Sequence, residues 1–260
     1  LLGNHMHAKN LTPIFAFLLF PLLLGFALKP NPASAAPPAP VADSASAGTI
    51  TGRVVLDGPA PAQRMIDMSG EPACRAAHPA PVAFPEVEMG DHGALADVVV
   101  YIKSGLASES FSAPETPVSL DQKGCMYSPH VVALMTNQTL LIANSDSTVH
   151  NVHLLSRLNR PWNKSEPSGV PPLRESFSLP ELAMPLVCNV HPWMRGFIFV
   201  FANPYFQVTS RSGEFTLRNL PPGTYTLEAW QEKFGMLDQT VTLGPHESKS
   251  VSFVFHSSAR

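Results

Sequence analysis

The sequence predicts an all-β protein with two β-sandwiches, and three observations lead to this fold class. Short runs rich in β-branched and aromatic residues recur after residue 48, separated by Gly, Pro, Asn or Asp at intervals of about eight to twelve residues. No segment of the sequence keeps a 3.6-residue apolar period long enough for a substantial helix after this point. Proline supplies 27 of the 260 residues, which opposes long helices.

The first element of the chain is an apolar segment that predicts export. Residues 14–28 carry no charge and have the length of a secretory h-region. The sequence NPASAA follows shortly and offers a cleavage site after Ala35, which predicts a signal peptide over residues 1–35. The alternative is a retained helix over residues 11–28 that anchors the protein in the inner membrane. Both alternatives place the rest of the chain in a bacterial periplasm.

The next element is a tether, after which the folded region begins. Residues 36–48 consist mainly of Pro, Ala and Ser and predict an extended, flexible segment. Residues 57–93 are also rich in proline and poor in β-branched residues, so we expect a long irregular excursion after the first strand. The predicted strands are Thr49–Leu56, Ala96–Lys103, Val131–Leu134, Thr139–Asn144, Val149–Leu155, Glu175–Leu179, Pro185–Asn189, Gly196–Phe201, Tyr205–Thr209, Glu214–Arg218, Gly223–Gln231 and Gln239–Thr242.

The first and last strands of the folded region share one signature. The opening strand TITGRVVLDG, the hairpin Ser212–Phe215 and the turn and strand Leu220–Tyr225 carry it. In the turn, two prolines fix φ and Gly223 gives the chain room to reverse. These residues resemble the transthyretin-like, carboxypeptidase-regulatory-like β-sandwich. The resemblance implies one sandwich made from both ends of the folded region.

The segment between these ends has a different character, which predicts an inserted domain. We expect residues 49–113 and 204–260 to form the first sandwich, and the excursion belongs to its first part. Residues 114–203 then form the second sandwich. The sequence therefore predicts one discontinuous domain and one continuous domain within it.

Four residues in the inserted segment point to metal chemistry. The sequence STVHNVHL contains His150, and the sequence LVCNVHPWM contains Cys188, His191 and Met194. One thiolate, two imidazoles and a weaker axial thioether are the donors of a type 1 copper site. The spacing lets one tight loop carry three of them, while His150 comes from a neighbouring strand.

The same residues resemble those of the cupredoxins, in particular the amicyanin and plastocyanin type. The Cys-x-x-His-Pro-aromatic-Met loop and the His-Asn-Val-His string carry the resemblance, which covers residues 118–201. It implies a Greek-key sandwich with one copper ion. It also implies that His150 is the first ligand, that the three loop residues follow, and that His153 is not a ligand.

Other interpretations of these four residues remain open. Buried Cys, His and Met are often core residues without a ligand. A structural descendant could have lost its copper. Zinc accepts a thiolate and two imidazoles, although a thioether suits zinc poorly.

The three cysteines predict one disulfide and one free thiol in an oxidising compartment. A bond between Cys74 and Cys125 joins the excursion to the inserted domain and leaves Cys188 for the metal. The alternatives are two buried thiols, or a second metal site formed with His78 and His130.

The composition and motifs limit the function classes. A formal net charge of −3 gives no basic surface for nucleic acid. The sequence has no nucleophile elbow, phosphate-binding glycine loop or His-Glu-x-x-His motif, so we expect neither catalysis nor a small-molecule substrate.

We therefore expect a periplasmic copper protein that transfers electrons to a redox protein or a respiratory or photosynthetic membrane complex. In cupredoxins the ligand equivalent to His191 reaches an apolar surface where electrons leave. Trp193 either extends that surface or packs in the core. The alternative functions are an assembly subunit with a vacant copper site and a protein that stores or delivers Cu(I).

Overall fold

The computed structural model describes residues 46–257, and within this range the protein is almost entirely β-structure. The predicted signal peptide or anchor and most of the tether lie outside the described residues. Within residues 46–257, no helix has the length and apolarity needed to cross a membrane. The strands are β1 (Gly48–Asp57), β2 (Val99–Ser104), β3 (Val118–Gln122), β4 (Tyr127–Ser128), β5 (Val131–Met135), β6 (Leu140–Asn144), β7 (His150–Leu154), β8 (Trp162–Glu166), β9 (Leu173–Glu175), β10 (Glu181–Val187), β11 (Arg195–Phe201), β12 (Phe206–Val208), β13 (Glu214–Leu220), β14 (Gly223–Gln231), β15 (Gly235–Leu243) and β16 (Ser248–His256).

The first sandwich consists of the sheets β13-β1-β16 and β12-β2-β14-β15. Strand β1 pairs antiparallel with β13 and parallel with β16, so the first strand lies beside the last. In β16 the buried residues Val251, Phe253 and Phe255 alternate with exposed ones, as expected for a sheet with one face in the core. Gly52 in β1 leaves space for the Phe215 ring, which a Cβ atom at residue 52 would meet at 2.4 Å.

The second sandwich consists of the sheets β5-β11-β10-β7-β8 and β4-β3-β6-β9. Its core contains Leu120, Ile142, Val152, Leu186 and Ile198, all at most 1% exposed. Strand β7 lies between β10 and β8, and β11 pairs with both β10 and β5. This arrangement places the start of β7 beside the loop that joins β10 to β11.

A third apolar core lies between the two sandwiches. Val98, just before β2, and Val100 within it face the first core, while Val99 and Tyr101 face the third. Strand β11 also faces two cores. Its residues Ile198 and Val200 lie in the second core, and Phe199 and Phe201 lie in the third. Two sheets are therefore buried on both faces, which explains the continuous apolar runs VVVYI and FIFVF in their strands.

The irregular excursion after β1 contacts both sandwiches. It contains a short helix, α1 (Pro72–Ala77), and one 3-10 turn, Asp91–Gly93. Met68 and Cys74 are buried in the core of the second sandwich, whereas Val87 and Met89 pack against the core of the first. The excursion thus bridges the cores of the two sandwiches.

Several strands differ from the sequence prediction. The strand predicted over Glu175–Leu179 is shifted, since β9 ends at Glu175 and the following Phe177 enters the core. Strands β3, β4, β8 and β16 were not predicted. The sequence of β8, WNKSE, is largely polar and becomes a strand through its pairing with β7.

Glu181, the first residue of β10, organises the turn that follows β7. Its carboxylate accepts hydrogen bonds from the Ser156 hydroxyl at 2.6 Å and from the backbone N–H groups of Arg157 and Asn159 at 2.6 and 2.9 Å. Burial raises the pKa of Glu181, but these hydrogen bonds outweigh it and lower the pKa to about 2.

Candidate metal centre

His150 reaches the site from the first position of β7. It shares the inward face of this strand with Val152 and Leu154, and all three side chains are fully buried. His153 lies on the other face and hydrogen-bonds Asn189 through Nδ1 at 3.1 Å. The strand geometry therefore brings His150 to the site and leaves His153 outside it.

Cys188, His191 and Met194 lie on the loop that joins β10 to β11. The Cys188 N–H donates to the Met194 carbonyl at 3.1 Å, and the Met194 N–H donates to the His191 carbonyl at 2.9 Å. The His191 N–H lies 3.4 Å from the Cys188 sulfur. These bonds hold the loop closed, and all three side chains are buried, with exposures of 0 to 3%.

Three of the predicted ligands converge. The Nδ1 atoms of His150 and His191 are 2.9 Å apart, and His191 Nδ1 is 3.8 Å from the Cys188 sulfur. One ligand atom from each of the three residues lies within 4.8 Å of the others. The three donor atoms are therefore close enough together to bind one metal ion.

Asp146 orients His150 from behind. Its carboxylate lies 2.9 Å from His150 Nε2 and accepts a hydrogen bond from that nitrogen when it is protonated, which turns Nδ1 toward the site. The same carboxylate accepts 2.7 Å hydrogen bonds from the N–H groups of Gly124 and Cys125. Sequence reasoning missed Asp146. Its position four residues before His150, in the turn that leads into β7, is the signal that was available.

Asn151 supports the ligand loop from β7. Its side-chain oxygen accepts hydrogen bonds from the N–H groups of Asn189 at 2.6 Å and Val190 at 3.3 Å, and it lies 3.3 Å from the Cys188 sulfur. Burial raises the pKa of the Cys188 thiol, but His150 and the N–H groups around the sulfur outweigh it and lower the pKa overall. Cys188 therefore loses its thiol proton more readily than an ordinary cysteine.

The outer edge of His191 is covered, contrary to the expectation that it reaches the surface. The His191 side chain is 0% exposed, and its Nε2 has no hydrogen-bond partner among the described residues. The Glu71 carboxylate lies 3.8 Å from this nitrogen, and the Trp193 ring lies 5.2 Å from the imidazole ring. Trp193 is half-buried and donates from its indole N–H to the Cys125 carbonyl at 3.0 Å. The excursion and Trp193 together close this edge.

Cys74 and Cys125 form a disulfide beside the site. Their Cα atoms are 5.4 Å apart, and both residues are buried, while Cys188 is free. His78 and His130 do not join them, because His78 bonds the Gly124 carbonyl at 2.6 Å and His130 bonds Glu232 at 2.7 Å.

Comparisons with known proteins show a limited likeness. No protein-family model and no curated protein matches the chain. A copper-containing nitrite reductase from Thermus scotoductus SA-01 is 20% identical, with a TM-score of 0.32, over 38% of this chain and 26% of its own. The chain thus spans about a quarter of the length of that reductase.

Two smaller solved structures are similar to part of the chain. A purple cupredoxin from Nitrosopumilus maritimus is 19% identical over 32% of this chain and 98% of its own, with a TM-score of 0.28. An oxidised point mutant of amicyanin is 18% identical over 39% of this chain and 98% of its own, with a TM-score of 0.30. The structural neighbours therefore include cupredoxins, but TM-scores this low carry no argument about function, which depends on the site itself.

The donor set fits copper. A thiolate and two imidazoles are the in-plane ligands of a type 1 copper site, and a Met on the same loop is its usual weak axial ligand. Of the four predicted ligands, His150, Cys188 and His191 converge, and Met194 is buried in the same core.

Proposed function

We propose that this chain is a copper electron-transfer protein with one type 1 site held by Cys188, His150, His191 and Met194. The observation that carries the proposal is the buried convergence of the Cys188 sulfur with the Nδ1 atoms of both histidines. A copper ion bound there would supply one-electron chemistry between Cu(II) and Cu(I).

The surrounding residues make the site rigid. Asp146 holds the His150 ring with Nδ1 inward, and Asn151 holds the loop residues Asn189 and Val190. Rigid ligands reduce the rearrangement that accompanies a change of charge, because the donors already occupy their positions. Burial at 0 to 3% exposure keeps water away from the donor atoms.

An electron carrier does not need a substrate cavity beside its metal ligands. A surface cavity of about 400 Å³ is lined by Arg53, Asp91 and Arg211, and none of the proposed ligand residues lines it. The proposed donor residues are themselves buried, with exposures of 0 to 3%. We therefore propose an electron carrier without catalysis of its own.

We propose that the protein works in the periplasm. The apolar N-terminal segment of the sequence supports export, and the Cys74–Cys125 disulfide is typical of an oxidising compartment. In that setting the electron partner is a redox protein or a membrane electron-transfer complex.

We also propose that the first sandwich, formed by residues 49–113 and 204–260, is a transthyretin-like scaffold for the inserted copper domain. The pairing of β1 with β13 and β16 supports this assignment, since it joins the two ends of the folded region in one sheet.

The test is the visible spectrum of the purified protein after it is loaded with Cu(II). We expect an intense band from thiolate-to-copper charge transfer that is absent in Cys188→Ser. The matched control is His153→Ala, which removes an imidazole outside the cluster and is expected to keep the band. Colourless binding of Cu(I) alone would instead support copper storage or delivery, and no uptake of copper would support an assembly role.

A further inference from the structure

We propose that reduction of the Cys74–Cys125 disulfide creates a second cation site, made by the two released thiolates and the outer edge of His191. The ligands of this site differ from those of the proposed copper site except for His191. The cation class is a soft or borderline d¹⁰ ion, Zn²⁺ or Cu⁺. The proposal goes beyond the proposed function, and the electron carrier does not need Cys74 or Cys125 as ligands.

The disulfide lies beside the His191 ring. Both disulfide sulfurs and a ring nitrogen of His191 lie within 4.8 Å of one another. Cys74 and Cys125 are at most 1% exposed and His191 is fully buried. Three atoms that bind zinc and Cu⁺ well therefore already lie together, with the two sulfurs bonded to each other in the oxidised protein.

The Nε2 edge of the His191 ring is the second feature of this site. Nδ1 faces His150 and Cys188, so the Nε2 edge is the one left for the disulfide side. Nε2 is buried and has no hydrogen-bond partner within the described part of the chain. A buried polar atom without a partner costs free energy, which a bound cation would recover.

Two carboxylates lie close enough to favour a positive charge. Glu71 places an oxygen 3.8 Å from His191 Nε2, and its side chain is 43% exposed, which gives the site a polar edge toward solvent. An oxygen of Asp146 lies within 4.8 Å of the Cys125 sulfur and a nitrogen of His150. Glu71 is the available fourth ligand, since zinc prefers four.

The chemistry of opening the site is thiol–disulfide exchange. A dithiol reductant donates two electrons and two protons, the S–S bond breaks, two cysteine thiols form, and the reductant becomes a disulfide. A divalent or monovalent cation then displaces the thiol protons and binds the thiolates.

The backbone keeps both cysteines in place after reduction. The Cys125 N–H donates to Asp146, and the Cys125 carbonyl accepts from the Trp193 indole. Cys74 is held by helix α1 and by its packing in the core of the second sandwich. The thiolates are therefore expected to remain near His191.

The test uses the full chain with Cys188→Ser, which removes the thiolate of the proposed copper site. The protein is compared in oxidised and anaerobically reduced forms, and zinc affinity is measured against a chromophoric chelator. We expect the reduced form to bind one Zn²⁺ at least about a thousandfold more tightly than the oxidised form. Zinc is also expected to protect both Cys74 and Cys125 from alkylation, as read by peptide mass.

The matched control adds Cys74→Ser and Cys125→Ser to the same chain and is expected to bind zinc as weakly as the oxidised form. Equal affinity of the oxidised and reduced forms, or unprotected thiols at saturating zinc, would overturn the proposal. If reduction unfolds the chain, zinc must restore the circular dichroism of the oxidised form, and failure to do so also counts against the site. The copper band is measured separately on oxidised protein that retains Cys188, so either proposal can fail alone.

Discussion

Removal of the Cys74–Cys125 crosslink is expected to lower the free energy of unfolding by about 4 kcal/mol. The two cysteines are 51 residues apart in the sequence, and closing a loop of that length reduces the entropy of the unfolded chain by roughly 14 cal/mol/K, or about 4 kcal/mol at room temperature. The excursion that the bond secures also packs Met68 into the second core, so its release weakens contacts there. Both effects act in the same direction.

The assay is urea denaturation of Cys74→Ala/Cys125→Ala, followed by tryptophan fluorescence and circular dichroism. The matched control is Cys188→Ala, which removes a buried cysteine that closes no loop. We expect the control to cost about 1 kcal/mol, as for loss of a small buried group. A double variant that loses no more than the control would refute the loop-closure argument.

Three further predictions concern individual side chains. Asp146→Asn is expected to weaken Cu(II) binding by about 10- to 100-fold, because His150 loses its carboxylate partner; competition with a chelator measures this. The low pKa of Glu181, about 2 against 4.5 for an ordinary glutamate, contributes about 3 kcal/mol that is present above pH 4.5 and lost as the pH falls toward 2, so Glu181→Gln is expected to flatten the dependence of unfolding free energy on pH in that window. Phe199→Ala is expected to cost about 3 to 5 kcal/mol in urea denaturation, because the ring is 1% exposed and lies 4.9 Å from the ring of Trp230 in the core between the sandwiches.

Each of these predictions has a result that would contradict it. Unchanged copper affinity in Asp146→Asn would show that the carboxylate does not act through His150. An acid profile in Glu181→Gln that matches the wild type would mean that other groups set acid stability. A loss below about 1 kcal/mol for Phe199→Ala would show that the core between the sandwiches contributes little.

The fold class and the ligand loop could be predicted because their signals are local. Strand alternation and turn residues determine short segments, and the all-β prediction is confirmed. The sequence from Cys188 to Met194 closes its own loop through backbone hydrogen bonds between neighbouring residues. The ligand set itself stays a prediction, although three of its residues converge.

The surroundings of the site depend on distant parts of the chain, and sequence reasoning missed them for that reason. Asp146 acts through N–H groups 21 and 22 residues away. The cover over His191 comes from Glu71 in the irregular excursion, where no periodicity indicates a position. Strand β8 is specified by the strand beside it more than by its own residues.

Two sheets are buried on both faces, and this limits which parts of the chain can be expressed separately. Residues 114–203 include β5 and β11, whose outer faces carry Val131, Met135, Phe199 and Phe201. If this segment were expressed alone, those side chains would form an exposed apolar surface that favours aggregation. Phe199 is also only five residues from Met194 on one continuous strand and loop, so a change in packing between the sandwiches has a short backbone route to the proposed ligand loop. The second sandwich is therefore expected to lose solubility when it is expressed without the first, and a change in packing between the two sandwiches is expected to alter the geometry of the proposed copper site.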